Sequence, residues 1–140
     1  MSAQKPLLYM SYDNFKFMGK FIIKPTSNNG FTFNLLANNN EVIGTSQVYT
    51  SKSSAKNGIE SVRKNADAEI EDQTLKDFEQ KKNPKWEIYL DKKEEFRFRL
   101  KAANGEIILA SEGYKAKASA KNGIESVRKN APEAPVEEEE

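Results

Sequence analysis

Thirteen residues of this 140-residue chain occur twice, letter for letter: Ser54 to Ala66 returns as Ser119 to Ala131, 65 positions later. A chain built this way has to fold as two copies of one unit, so the repeated stretch constrains everything around it. Ala55, Ile59, Val62 and Ala66 recur at the spacing of one helical face, with Lys56, Glu60, Arg63 and Lys64 off that stripe. The pattern predicts an amphipathic helix in each copy, with Ile59, Val62, Ile124 and Val127 facing a core. Ser51 is the expected N-cap of the first helix. Its counterpart is Ala116, which predicts a second helix that begins later, near Ser119. Asn65 and Asn130 are read as helix ends in the left-handed conformation, and Pro132 forbids continuation of the second. Gly58 and Gly123 lie mid-helix, where glycine costs about 1 kcal/mol relative to alanine. Accepting that cost twice implies a helix backbone pressed tightly onto a neighbouring layer.

One 48-residue unit has trouble burying enough surface alone, whereas two can share a core. The chain has no Cys and no His. Disulfides, thiolate chemistry, a Ser-His-Asp triad and the commonest metal ligand are therefore excluded. No phosphate loop, carboxylate metal loop or dinucleotide fingerprint is present, so no catalytic residue, cofactor or metal site is expected. The formal charge of +1 is unevenly spread. Residues 19–66 and 84–131 each carry net +4, the linker 67–83 carries −3, and residues 132–140 carry −5.

The repeat extends well beyond the helix. Phe21-Ile22-Ile23 matches Trp86-Glu87-Ile88, and Phe31-Thr32-Phe33-Asn34-Leu35 matches Phe96-Arg97-Phe98-Arg99-Leu100. Glu41-Val42-Ile43 matches Glu106-Ile107-Ile108, and Ser46 and Tyr49 match Ser111 and Tyr114. The alternation of Phe, Phe and Leu with polar residues predicts a strand apolar on one face only, as in an antiparallel sheet covered on one side. Flanking strands are expected at 20–25 and 85–90, and at 41–48 and 106–113, with turns at 26–30, 38–40 and Asn104-Gly105. Each unit reads as three strands followed by a covering helix. Ala68 to Asp72, and more weakly Ala134 to Glu137, allow a short charged edge strand. Leu75 to Phe78 allows a helical turn. Residues 1–18 show neither a signal peptide nor a membrane span, and Tyr12 to Phe17 alternate as in an extra strand or arm.

The series [FW]-x-I, F-x-F-x-L, E-[VI]-I, S-x-x-Y and S-A-K-N-G-I-E-S-V-R-K-N-A resembles the YegP-like family of small bacterial proteins of unknown function, across residues 19–132. The resemblance implies a β-β-β-α-β unit whose last strand is exchanged with the other unit. Ala68 to Asp72 would then join the second unit and Ala134 to Glu137 the first, with Pro135 standing where a strand is wanted. It supplies no catalytic residues.

The expected architecture is α+β: two tandem β-β-β-α(-β) repeats forming one mainly antiparallel sheet with two helices packed on one face. Residues 1–18 form an extension, 19–72 repeat one, 73–83 a linker, 84–137 repeat two and 138–140 an acidic tail. Phe21, Ile23, Phe31, Phe33, Leu35, Trp86, Ile88, Phe96, Phe98 and Leu100 are expected in the core with the helix stripes. The open sheet face offers Arg97, Arg99 and Lys101, joined by Glu87 and Tyr89, as a polyanion contact. The helices offer Lys56, Arg63 and Lys64 with Lys121, Arg128 and Lys129, although no helix-turn-helix signature precedes them. The Ser46–Tyr49 and Ser111–Tyr114 hydroxyls are read as bonding the helix start or the other repeat, with the lining of a small polar pocket as the alternative. No biochemical activity is legible, and the functional expectation is a small cytoplasmic, monomeric, non-enzymatic interaction or structural module of uncharacterised role, whose protein partner, if it has one, is unidentified. Weak nucleic-acid or polyanion binding is the alternative, and no membrane association is expected.

Overall fold

The computed structural model describes residues 19–139. The strand or arm expected at residues 12–17 lies outside them. Repeat one comprises β1 (Lys20–Pro25), β2 (Phe31–Leu36), β3 (Val42–Thr45), α1 (Lys52–Asn65) and β4 (Ile70–Asp72). Repeat two comprises β5 (Lys85–Leu90), β6 (Phe96–Lys101), β7 (Ile107–Ala110), α2 (Lys117–Asn130) and β8 (Val136–Glu138). All eight strands form one sheet in the order β4-β5-β6-β7-β3-β2-β1-β8. The neighbours β1/β2, β2/β3, β3/β7, β5/β6 and β6/β7 are antiparallel. The end strands β4 and β8 are parallel to β5 and β1, so each repeat contributes its last strand to the other.

Pro135 does not interrupt β8 because the strand begins one residue later. The Pro135 carbonyl accepts the Phe21 N–H at 2.8 Å, as the Glu69 carbonyl accepts the Trp86 N–H at 2.8 Å on the other side. Only a carbonyl is required there, and proline retains one. Glu138 lies within the strand and Glu139 N–H bonds the Ile23 carbonyl at 2.8 Å, so the sheet takes in residues read as tail. Residues 73–77 form turns and no helical turn. β3 and β7 end sooner than expected. Register shifts between Leu35 and Leu36 and between Leu100 and Lys101 fall at the starts of β3 and β7, and past the other ends Tyr49 and Tyr114 rejoin Phe31 and Phe96 only as isolated bridges.

The core lies between the sheet and the two helices. Phe21, Ile23, Phe33, Leu35, Trp86, Ile88, Phe98 and Leu100 are buried against Ala55, Ile59, Val62, Ala120, Ile124 and Val127. Phe31 and Phe96, expected to be buried, are only half-buried. They open their strands at the margin of the helix layer, where the ammonium of Lys52 stands 6.0 Å over the Phe31 ring. Ile43, Ile108 and Leu109 complete the core. The central glycines sit against aromatic rings. A Cβ on Gly58 would overlap the Tyr49 hydroxyl, and one on Gly123 would come within 2.5 Å of the buried Phe98 ring. Phe33 stacks on Tyr49 and Phe98 on Tyr114, with ring centroids 6.1 and 6.3 Å apart.

The helix ends differ from expectation. α2 starts at Lys117, in register with α1, although Ala116 provides no side-chain cap. Ser51 caps α1 by accepting the Ser54 N–H at 3.0 Å. In α2 the first turn is held instead by Ala116 carbonyl bonds and by the Lys117–Asp72 ion pair at 2.9 Å. Asn65 and Asn130 lie within the helices, and the residues after them stay right-handed, with φ −58° at both Ala66 and Ala131. The two asparagines act through their amides, each donating to a carbonyl one turn back, Ser61 at 2.9 Å and Ser126 at 2.8 Å. Asn130 Oδ1 also accepts the Gly19 N–H at 2.9 Å. The residue equivalent to Gly19 is Pro84, which has no N–H, so this bond cannot repeat.

Arg63 and Arg128 join the repeats. Arg63 Nη1 donates to the carbonyls of Ala131 at 2.8 Å and Pro132 at 3.1 Å. Reciprocally, Arg128 donates to the carbonyls of Ala66 at 3.0 Å and Ala68 at 2.6 Å. Each guanidinium caps the C-terminus of the other helix, where free carbonyls and the helix dipole favour a cation. Arg63→Ala is expected to lower stability by about 2 kcal/mol, the scale of a charge-assisted hydrogen bond. Urea unfolding measures it, and an unchanged midpoint would show that the crossing bonds contribute nothing.

Candidate functional site on the open sheet face

The helices cover one face of the sheet and leave the other open. Period-two alternation places Lys85, Glu87 and Tyr89 of β5 and Arg97, Arg99 and Lys101 of β6 on that open face, opposite the buried Trp86, Ile88, Phe98 and Leu100. Arg97, Arg99 and Lys101 are brought together, but each is ion-paired. Arg97 Nε meets Asp91 Oδ2 at 2.7 Å, Arg99 Nε meets Glu87 Oε1 at 2.6 Å, and Lys101 Nζ meets Glu87 Oε2 at 3.3 Å. The Arg99 guanidinium also lies 4.3 Å from the centroid of the Tyr89 ring.

Two residues not singled out from the sequence dominate the site. Lys85 Nζ bridges Glu71 Oε1 at 2.7 Å and Glu87 Oε2 at 3.3 Å, and all three residues are almost fully buried. Glu71 arrives on the exchanged strand β4, directly beside Glu87. Burial pushes the Glu71 carboxyl up. The bonds from Lys85, Gln73 and the Lys81 N–H outweigh that and hold it at about 2. Burial likewise raises Glu87, yet Arg99 and Lys101 bring it below the usual carboxylate range. Lys85 is desolvated, and its two carboxylate partners nevertheless raise its pKa. The linker supplies the burial. Gln73 Nε2 and the Lys81 N–H each donate to Glu71 at 2.6 Å, and Lys85 Nζ donates to the Lys81 carbonyl at 3.1 Å. Residues 73–84 thus form a strap over repeat two's half of the open face.

The other candidate residues hold structure together. Ser46 Oγ accepts the Phe33 N–H at 2.8 Å and Ser111 Oγ accepts the Phe98 N–H at 2.9 Å, so both bond within their own repeat rather than to the helix start. The Tyr49 hydroxyl is buried and has no hydrogen-bond partner among the described residues. On the helices, Arg63 and Arg128 are engaged in the crossing caps, which removes them from any duplex-facing row. Among the described residues no group of three or more Asp or Glu could hold a metal ion. No described helix is long and apolar enough to cross a membrane.

At the centre of the open face the repeats meet through one ladder pair, Thr45 with Ala110. A shallow cleft lies on each side of it. One, of about 390 Å³, runs along Val42 to Ser46 and Ala110 to Glu112. The other, of about 470 Å³, is lined by Thr45 to Gln47, Gly105 to Ile107 and Ala110. They are near counterparts under the 65-residue offset, and each exposes one large apolar residue, Val42 or Ile107.

A single strand-exchanged sheet carrying two repeats defines a class of small α+β proteins. The chain belongs to the family described as "Domain of unknown function (DUF1508)", whose model matches residues 27–72 and 91–138. It is 42% identical over 113 residues to the UPF0339 protein YegP of Yersinia pestis, covering 81% of this chain and 88% of that one. A UPF0339 protein of Treponema denticola is 63% identical over 54 residues, which is 39% of this chain but 93% of that relative, a single repeat. Among solved structures, the solution NMR structure of the E. coli protein of unknown function yegP matches with a TM-score of 0.72 and 37% identity, over 87% of this chain and 93% of that one. These relatives have no assigned function, and none carries the description of an enzyme.

Proposed function

We propose that the chain is a small, cytoplasmic, monomeric and non-enzymatic interaction module that meets a protein partner at the seam between its repeats. Residues 19–72 and 84–137 act as one domain in this reading, with 73–83 as its strap. The observation that carries it is the pair of clefts flanking Thr45 and Ala110, with Val42 and Ile107 exposed on a face no helix covers. Shallow apolar sites rimmed by polar groups suit a protein surface better than a small substrate. A photo-cross-linker at Thr45 is expected to capture a discrete protein in the native cell, whereas one at Lys121 on the helix layer captures none. The same adducts from both positions, or none from either, would remove the reading.

Polyanion binding through Arg97, Arg99 and Lys101 is the second reading, favoured by the Arg99–Tyr89 stack. Against it, Lys85, Arg97, Arg99 and Lys101 meet Glu71, Glu87 and Asp91, so four cations face three carboxylates. One net charge gives little counterion release. The expected result is no retention on single-stranded DNA even at low salt, and salt-sensitive retention lost in Arg97→Glu/Arg99→Glu would reverse the order of the two readings.

A further inference from the structure

The sheet ends in two exchanged strands built to one plan. β4 beside β5 and β8 beside β1 are equivalent under the internal two-fold, with Ile70, Glu71 and Asp72 standing where Val136, Glu137 and Glu138 stand. Each is closed by a matching main-chain bond at 2.8 Å, from Gln73 N–H to the Ile88 carbonyl and from Glu139 N–H to the Ile23 carbonyl. Each also carries one carboxylate per face. On the open face Glu71 meets Lys85 at 2.7 Å and Glu137 meets Lys20 at 3.3 Å. On the helix face Asp72 meets Lys117 at 2.9 Å, and Glu138 meets Lys52 at 3.2 Å and Lys56 at 2.9 Å.

The two strands differ in burial. The Glu71 and Lys85 side chains are 1% and 9% exposed, whereas those of Glu137 and Lys20 are 54% and 34% exposed. Pulling β4 away would strand buried charge, which is strongly unfavourable. Pulling β8 away rehydrates its carboxylates and their lysines, because the whole strand is exposed. Exposed ion pairs of this kind hold weakly and are screened by salt. The firm anchor of the segment lies earlier, at the buried Ala134 and at the Ala131 and Pro132 carbonyls bound by Arg63. Nor does Val136 fill its place. A cleft of about 330 Å³ between α1 and β8 is lined by Lys56, Asn57, Glu60, Val136 and Glu138, at the position where β4 carries the larger Ile70.

We propose that the β1 edge is a docking groove for an acidic, extended segment of another protein, and that β8 is its tethered stand-in. The ligand adds to β1 as a parallel strand, bonding the Phe21 N–H and the Ile23 carbonyl as β8 and its flanks do. It presents a large apolar residue to the cleft, the next residue's carboxylate to Lys20, and the carboxylate after that to Lys52 and Lys56. Two successive carboxylates are read because successive strand residues face opposite sides of the sheet. β8 competes from its tether at an effective concentration on the order of millimolar. The groove therefore opens to a segment that fits it better than Val136, Glu137 and Glu138 do. This edge is the end of the strand order, away from the central seam, so the proposal goes beyond the seam reading and is tested without it.

Amide hydrogen exchange on the full chain tests the release of β8. The Glu139 N–H is expected to exchange about 100-fold or more faster than its counterpart, the Gln73 N–H, and to speed up further in about 0.5 M NaCl. A fluorescein-labelled peptide of residues 132–139 carrying Val136→Ile tests the groove. In the full chain carrying Glu137→Lys/Glu138→Lys, β8 is repelled by Lys20, Lys52 and Lys56. The peptide is expected to bind that chain about tenfold or more tighter than the parent chain and to shift the Phe21 and Ile23 amide signals. Adding Glu137→Gln/Glu138→Gln to the peptide should weaken binding about tenfold. Should the variant chain fail to fold, the same peptide at roughly millimolar concentration must shift the same amides of the parent chain. Equal protection of Glu139 and Gln73 would overturn the proposal. So would binding that ignores the glutamine substitutions or leaves Phe21 and Ile23 unmoved. A parent chain that dimerises with its β8 strands exchanged would assign the groove to a second copy and overturn it too.

Discussion

Lys85→Met is expected to lower unfolding stability by about 3–5 kcal/mol at pH 7, the cost of stranding a buried charge. The substitution keeps the stem of the side chain and removes the ammonium that lies between Glu71 and Glu87 at 2.7 and 3.3 Å. Two buried carboxylates would then face each other on adjacent strands. Arg99 and Lys101 still serve Glu87, so the unpaired charge is chiefly that of Glu71. Adding Glu71→Gln, which neutralises the stranded carboxylate and retains an oxygen for the Lys81 N–H, should recover roughly half of the loss. A pH series gives a second readout. Glu71 titrates near 2 in the folded chain against an ordinary value of 4.5, so its contribution is complete above about 4.5 and disappears as pH falls towards 2. That displacement corresponds to about 3 kcal/mol. In Lys85→Met the main interaction opposing burial is gone, so this acid-dependent loss should shrink or reverse sign. A variant within about 1 kcal/mol of the parent, with an unchanged acid limb, would show that the bridge is not the anchor described here.

The same cluster marks where sequence reading runs out. Period-two alternation was enough to place Glu87, Tyr89, Arg97, Arg99 and Lys101 on one face, and a helical stripe at fixed offset was enough to orient both helices. Neither pattern states which strands become neighbours. Glu71 meets Lys85 only because β4 crosses to the other repeat, a pairing that the family resemblance implied and no local spacing contains. Glu87 is placed beside Arg99 and Lys101 by alternation alone, whereas Asp91 reaches Arg97 from a turn and Glu71 joins, through Lys85, only on β4, so the full charge balance depends on the strand order. The helical arginines were misread for a related reason. Arg63 lies off its own helix's apolar stripe, as a solvated residue would, and its carbonyl partners belong to the other copy. The strap is a turn-rich stretch in sequence, and it acts through the Gln73 side-chain amide and the Lys81 N–H and carbonyl, a set that no recognisable spacing marks.

Leu109→Gly is expected to cost about 4 kcal/mol, combining a core cavity with the flexibility of glycine in a strand. The reason lies in the internal symmetry. Thr45 and Ala110 are equivalent positions and pair with each other, so the two-fold passes between β3 and β7 beside them. Positions 44 and 109 are likewise equivalent and converge on the core side of this axis. One is Gly44, the other the fully buried Leu109, and a Cβ on Gly44 would stand 2.7 Å from the Leu109 side chain. There is room near the axis for one large side chain, and the duplicated halves have diverged to supply one. Gly44→Leu alone should therefore destabilise by about 1–3 kcal/mol through overpacking. The exchanged variant Gly44→Leu/Leu109→Gly should recover most of both losses, since the same space can be filled from the opposite strand. Residues in contact couple, and the coupling is read as the departure of the double variant from additivity in urea unfolding. Simple addition of the two losses would mean that the halves are not interchangeable at the axis, and that the asymmetry between them extends into the backbone of β3 and β7.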